Sequence, residues 1–320
     1  MSKKTLNSQV GKSEDTKNRL SLSHCLSYCA PHVISLWLVT PMFIIQGIYA
    51  KYYGLSLTVL ASIILAARLF DAITDPLIGY YSDRYYRRTG SRKPFILVGG
   101  LLLIVSSYFL YVPTVHEGAG STPTVSLVYF IVWFFAFYLA YTIIEIPHIA
   151  WASDLAKTAA DKSKIYSFRG AATYIGLLIF YGIPLLPFFD TNEITPETLE
   201  VSVVLAGLVM LPLLLLCITK TPDGYTDTNF EGVATNLNLP SVQKQDWRYT
   251  VKSIIGNTPL LLFLSAYVIS GFSVGMWQGL VFIYVNSYLD MGAQFAQMFL
   301  VSLAVGMVAV PVWYKLSILL

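Results

Sequence analysis

Apolar residues run through this chain in long blocks rather than in the short stripes of a water-facing fold. Eight stretches, at about residues 27–50, 55–81, 94–113, 125–152, 167–188, 200–219, 256–287 and 293–315, are long enough to cross a hydrocarbon core with some tilt. The intervals between them alternate in charge. Lys3, Lys4, Lys12, Lys17 and Arg19 precede the first stretch, and Arg84, Arg87, Arg88, Arg92 and Lys93 follow the second. Lys157, Lys162, Lys164 and Arg169 follow the fourth, Lys220, Lys244, Arg248 and Lys252 the sixth, and Lys315 closes the eighth. Nineteen of the 21 basic residues thus fall on one side. On the other, the interval 114–124 has only the charge of Glu117, and 189–200 has Asp190, Glu193, Glu197 and Glu200 with no Lys or Arg; Lys51 breaks the pattern. The positive-inside rule puts both chain ends in the cytoplasm, a parity that eight spans satisfy.

The pattern predicts an all-α polytopic protein of the cell (inner) membrane, its N-terminus cytoplasmic and the lipid bilayer its surroundings. Residues 1–26 read as a cytoplasmic tail and 27–219 as a six-helix bundle. The long polar interval 220–255 reads as a central cytoplasmic linker, and 256–320 as the first two helices of a truncated second bundle. The sequence stops at YKLSILL, directly after the eighth stretch, which reads either as a fragment lacking four helices, the reading we favour, or as a naturally short chain.

Composition agrees: 55% hydrophobic and 12% charged residues lie outside the range of soluble domains. The first twenty residues, MSKKTLNSQVGKSEDTKNRL, contain no apolar core or small-residue cleavage site, so no cleaved secretory signal is expected. Topology accounts for the net charge of +3, which gives no reason to expect a nucleic-acid partner. Cys25, Cys29 and Cys217 lie in or beside apolar stretches, where a cysteine serves as a small buried side chain. The sequence shows no metal-ligand cluster, nucleophile elbow or phosphate-binding glycine loop, so no enzyme and no cofactor are predicted.

Chemistry enters at LFDAITDPLIG in the second stretch. Asp71 and Asp75 are four apart and Arg68 is three before Asp71, so the three share one helical face. A carboxylate in mid-membrane costs about 2.5 to 3.5 kcal/mol on insertion scales and asks for a partner. Two carboxylates at this spacing can supply several oxygens to a hard cation, while Arg68 limits their repulsion when the ion is absent. A salt-bridge cluster that only holds the bundle together is the competing reading.

The fourth stretch carries YTIIEIPHIAW, with Tyr141, Glu145 and His148 on one face and Thr142 beside it. Pro147 removes a backbone donor, which a membrane helix tolerates where the freed carbonyl lines a cavity or finds a neighbour. Glu145 needs a partner, and Arg169 is the nearest basic candidate in sequence. His148 could relay protons or simply pack through hydrogen bonds, and His32 has a weaker case. In GYYSDRYYRRTGSRKP, between the second and third stretches, Gly79, Asp83, Arg84, Arg88 and Arg92 could form an electrostatic latch between helix ends during gating. Gly271, Gly275 and Gly279 recur every four residues in the seventh stretch and predict close helix approach.

At LFDAITDPLIGYYSDRYYRRTGSRKPF, and again at YTIIEIPHIAW and Arg169, the chain resembles the glycoside-pentoside-hexuronide:cation symporters of the major facilitator superfamily. The likeness is specific over residues 53–170. It implies two pseudo-symmetric six-helix bundles with alternating access around a central site. By the same resemblance Asp71, Asp75 and Thr142 bind the coupling cation (sodium, lithium or a proton), and Tyr141, Glu145 and Arg169 bind the solute, a glycoside or related sugar. The family's best-known members have an aspartate where Glu145 stands. Their adjacent Lys-Asp pair in the first helix falls at Ile34 and Ser35, and their fourth-helix tryptophan at Ile149; these departures argue against a melibiose-like galactoside. Two other readings remain open at this point: a facilitator of lipid-like or other amphipathic solutes, and a non-transporting membrane sensor or scaffold.

Overall fold

A computed structural model of the chain describes residues 20–117, 123–156, 158–224 and 255–319. Nearly all of the cytoplasmic tail, most of the central linker and the side chain of Lys315 lie outside the described residues.

The first apolar stretch is not one helix. α1 (Leu22–Val39) starts at Ser21, whose hydroxyl accepts from the His24 amide (3.1 Å), and gives way to a 3-10 turn, Thr40–Phe43, before α2 (Ile45–Tyr53). Pro41 stands at the start of that turn and lacks the amide an α-helix would use there. Gly54, at φ +68°, ends α2.

α3 (Leu57–Thr89) is longer than the second stretch predicted. The basic segment expected to lie between helices is itself helical as far as Thr89, because none of its Tyr, Asp or Arg residues breaks a helix and the first left-handed residue is Gly90 (φ +74°). Arg87 and Arg88 occupy its last turn, where they oppose the negative end of the helix dipole. Of the predicted latch residues, only Arg92 therefore lies in a connection; Gly79, Asp83, Arg84 and Arg88 are helical.

α4 (Lys93–Tyr111) and α5 (Leu127–Leu155) flank a two-stranded hairpin, β1 (His116–Glu117) and β2 (Pro123–Thr124). α6 (Ala159–Gly182) begins two turns before its apolar stretch, because Thr158 caps it by accepting from the Asp161 amide at 3.0 Å. α7 (Pro196–Lys220) opens with a reciprocal cap between Thr195 and Thr198. Further on come α8 (Thr258–Ile283), a π-turn at Tyr284–Tyr288, and α9 (Gly292–Leu319). Among the described residues seven helices are long and apolar enough to cross a membrane, and α9 adds a shorter apolar run, Gly292–Met307.

These helices form two units, one of residues 1–225 with 291–320 and one of 226–290. In the first, α1 packs on α6 and α7, α5 on α3 and α4, and α4 on α7. α9 joins this unit by laying Phe299 flat against Tyr181 of α6, ring centres 4.8 Å apart. Glycines set two crossings. A Cβ at Gly99 of α4 would fall 2.5 Å from the Ile144 amide of α5, and one at Gly176 of α6 would collide with the Val33 carbonyl of α1. The core is aromatic, with Phe130, Phe134 and Phe137 of α5, Trp151 and Tyr28 all within 1% of full burial. By contrast Leu65, Leu69 and Ile73, which recur every four residues of α3, are each 64% exposed, as an apolar face turned to lipid would be.

The glycine repeat of α8 lies in the second unit. A Cβ at Gly271 or Gly275 meets no described heavy atom within 4 Å.

Candidate functional site

A cavity of about 290 Å³ opens inside the first unit between α1, α3 and α5. α3 contributes Arg68, Asp71 and Asp75, α5 contributes Tyr138, Tyr141, Thr142 and Glu145, and Met42 and Phe43 close it from the 3-10 turn. The broken first span therefore has a structural role: the turn at Pro41 brings two bulky apolar side chains against the acids.

The acid pair behaves as its spacing predicts. Thr142 Oγ1 donates to Asp75 Oδ1 at 3.0 Å, tying α5 to α3. Arg68 stands 3.7 Å from Asp71 Oδ2, and its guanidinium also lies over the Tyr138 ring, 5.2 Å from the centre. Asp71 Oδ1 is buried with no hydrogen-bond partner among the described residues. A buried acceptor left bare costs about 1 to 3 kcal/mol. The site thus keeps one unsatisfied carboxylate oxygen beside a second carboxylate, an oxygen-rich arrangement suited to a hard cation.

Glu145 is 16% exposed at the cavity wall, and Arg169 of α6 lies behind it. Arg169 Nη2 donates to Glu145 Oε1, its Nη1 donates to His148 Nδ1 (2.6 Å), and Nη1 also reaches the Tyr28 hydroxyl (3.3 Å). Sequence distance alone suggested the Glu145–Arg169 pairing, and the structure makes it. Arg169 does not itself line the cavity.

His148 has no free nitrogen. Its Nε2 faces the Tyr28 carbonyl at 2.9 Å and must donate, so Nδ1 is the acceptor for Arg169, and the ring stacks on Tyr28 at 4.1 Å. This geometry fixes His148 as a neutral packing histidine and removes the ground for a proton relay there. The residue that sequence reasoning undervalued is His32, buried on α1, with Nε2 3.1 Å from Thr173 Oγ1 and Nδ1 3.7 Å from Glu145 Oε2. Its position four residues after Tyr28 puts both on the face of α1 that meets α6, a signal present in the sequence but visible only once Arg169 marks that face.

Sequence reasoning saw no metal-ligand cluster. The fold assembles one candidate, His32, Glu145 and His148, with donor atoms within 4.8 Å of one another. The Arg169 guanidinium occupies His148 Nδ1 and a Glu145 oxygen, so a metal ion would meet a fixed cation in its place.

At the far end of α3 the predicted latch forms in part. Arg92 donates to Asp83 (2.7 Å), to Ser82 Oγ (3.0 Å) and to Asp154 at the end of α5 (2.6 Å), and lies over the Tyr86 ring. Burial disfavours the charge on Arg92, but the two carboxylates more than offset this and its pKa lies above the ordinary arginine value. Arg88 is exposed, Arg84 reaches only the Tyr80 hydroxyl (3.3 Å), and Gly79 abuts Ile146 of α5. Asp154 and Asp223, which were not foreseen, complete the cluster with Lys93. Lys93 pairs with Asp223 at 3.1 Å, and Trp151 donates to the Pro222 carbonyl at 3.2 Å. The residues after α7 are thereby folded across the ends of α4 and α5.

Of the positions where the resemblance lost its sugar contacts, Ile34 and Ser35 are buried in α1, and Ile149 is 39% exposed and does not line the cavity.

Comparison with known proteins follows the same lines. The chain is 28% identical over 218 residues to the Escherichia coli (strain K12) protein named "Putative glycoside/cation symporter YagG", covering 67% of this chain and 45% of that protein. It is 22% identical over 266 residues to the inner membrane symporter YicJ of the same organism (81% of this chain, 54% of YicJ). It is 25% identical over 195 residues to major facilitator superfamily domain-containing protein 12 of Homo sapiens (58% of this chain, 39% of that protein). The chain spans about half the length, or less, of these relatives. The profile of the MFS/sugar transport protein family, a family of transporters rather than enzymes, matches residues 24–317. With that match running from α1 into α9, the chain belongs to the MFS/sugar transport protein family.

Proposed function

We propose that the chain acts in cation-coupled symport of a glycoside or related sugar, by alternating access, in the inner membrane with its N-terminus cytoplasmic. The observation that carries this reading is the single cavity shared by Asp71, Asp75, Thr142 and Glu145. A small cation at the acid pair takes up the bare Asp71 oxygen and holds α3 to α5 through Asp75 and Thr142. The solute, rich in hydroxyls that both donate and accept, takes its contacts from Tyr141, the Glu145 carboxylate and, once the cavity remodels, Arg169. α5 carries residues of both sites one turn apart, so fixing it with one ligand favours the other, and the coupling is reciprocal. The reading as a carrier of amphipathic solutes loses one support, since Ile149 does not line the cavity.

The test is uptake of labelled glycosides and hexuronides into proteoliposomes under an imposed sodium, lithium or proton gradient. Accumulation under one of these gradients is expected, and Asp71→Asn and Asp75→Asn should each abolish it. Gradient-driven accumulation that persists in both variants contradicts the assignment. A milder effect is expected of Thr142→Val, which deletes the hydroxyl on Asp75 with little change of shape. One hydrogen bond is worth about 1 kcal/mol, so the concentration of the coupling cation giving half-maximal thermal stabilisation should rise about 5-fold. An unchanged midpoint would remove Thr142 from the ion site.

A further inference from the structure

The His32 ring is 4% exposed, and its Nδ1 is buried without a hydrogen-bond partner. The state of that atom turns on the Thr173 hydroxyl beside the ring. Thr173 Oγ1 has one proton and two acceptors within reach, the Arg169 carbonyl at 3.2 Å and His32 Nε2 at 3.1 Å; where the carbonyl takes the proton, the hydroxyl accepts from the ring. In that tautomer Nε2 carries the ring proton, and Nδ1 of the neutral ring is a bare lone pair. That lone pair lies 3.7 Å from Glu145 Oε2, another acceptor. Two facing acceptors with nothing between them form an unsatisfied arrangement that a single proton satisfies on both sides.

Nδ1 has no exposed surface and does not line the cavity, so nothing larger than a proton reaches it without rearrangement. Glu145, which does border the cavity, provides the route. The other groups that face the ring are accounted for. From α5, His148 lies 6.0 Å away between ring centres and is held neutral by its two hydrogen bonds. From α6, Arg169 is engaged with Glu145 from the opposite side. From α1 itself come Tyr28, whose hydroxyl donates to the His148 carbonyl, and Cys29. α7 places its ionisable Glu197, Glu200 and Lys220 in its terminal turns and a buried Cys217 against the Tyr28 carbonyl, and α4 has Lys93, Tyr108 and Tyr111 near its ends.

We propose that His32 is a proton-binding site of this centre: it takes up a proton on Nδ1, delivered through Glu145, and then donates to the Glu145 carboxylate. The site stands on this geometry, and only its consequence for transport, that protonation fixes the acid offered to the solute, rests on the function proposed above. The balance is simple. One proton leaves water in the cavity, passes over a Glu145 oxygen and ends on the Nδ1 lone pair, and no other bond is made or broken.

The test is nitrogen NMR of the ¹⁵N-histidine-labelled full chain in lipid nanodiscs. The chain has four histidines, and His32 is assigned by the signal lost in His32→Gln. At high pH the His32 signals should show the Nε2–H tautomer with a bare Nδ1. As the pH falls the Nδ1 signal should move to the protonated position, while the His148 signals stay fixed. In Glu145→Gln the pH response of His32 should disappear. An Nδ1–H tautomer at high pH, an unchanging His32 signal, or a response unaffected by Glu145→Gln overturns the proposal. The wild-type spectra alone can do so if that variant fails to fold. Because no solute is involved, failure to transport any sugar leaves this result standing, and the two readings fail separately.

Discussion

Arg169→Leu is expected to destabilise the chain by about 3 to 5 kcal/mol, among the largest effects of any single side chain in the first unit. Arg169 is 8% exposed and serves three partners on two neighbouring helices: Glu145, His148 and the Tyr28 hydroxyl. Without it Glu145 becomes a buried charge with no strong partner, and His148 Nδ1 an acceptor with no donor. Most of the cost comes from those stranded groups rather than from the lost bonds themselves, which makes a distinctive prediction. The double substitution Glu145→Gln with Arg169→Leu should be less destabilised than Arg169→Leu alone, since the carboxylate that needed neutralising has gone. Arg169→Lys should fall between, because an ammonium keeps the charge but cannot present the two-pronged face that meets Glu145 and His148 together. Unfolding in detergent of the wild type, these three variants and Glu145→Gln alone checks this, and additivity of the Glu145→Gln and Arg169→Leu effects would show that the pair is not coupled.

The second large effect is steric. At Gly176 an added methyl group meets the Val33 carbonyl and lies 2.9 Å from Leu36 Cβ, and backbone cannot move aside as a flexible side-chain tip can. Gly176→Ala should therefore cost about 1 to 3 kcal/mol through forced separation of α1 and α6. The same helix supplies a control. A methyl group at Gly170 meets no described heavy atom within 4 Å, so Gly170→Ala should be neutral or stabilising by about 0.5 to 1 kcal/mol, the ordinary gain of replacing glycine in a helix. Equal thermal stabilities for the two alanine variants would mean that α1 and α6 do not cross as closely as described. A consequence for the binding centre follows, since separating these helices moves His32 away from Thr173.

How much of this was legible beforehand differs by feature. Spans were legible because a membrane helix must be apolar over a fixed length, and that requirement leaves a mark that survives without any alignment. Their ends were read less well. The second span was cut short at its charged segment, although Tyr, Asp and Arg continue a helix and only Gly90 stops it; the first was read as continuous because its hydropathy does not fall at Pro41. At the site, Asp71 and Asp75 were legible because acids are expensive in a bilayer. Glu145 and Arg169 were paired correctly for the same reason. His32 and Asp154 were not, since each acquires its meaning from a partner on another helix. His32 lies more than a hundred residues from Glu145 and Thr173, and Asp154 sixty-two from Arg92. No local spacing rule connects such positions.

The Glu145–Arg169 contact has one more implication. With nothing bound, these two groups neutralise each other, so on the function proposed above a vacant carrier presents no stranded charge at this point. On the same reading a half-loaded carrier, in which a sugar has separated the pair while the acids on α3 still lack their ion, carries exposed charge and is held back. In such a device, slippage is prevented by the resting chemistry of the empty site rather than by a separate gate.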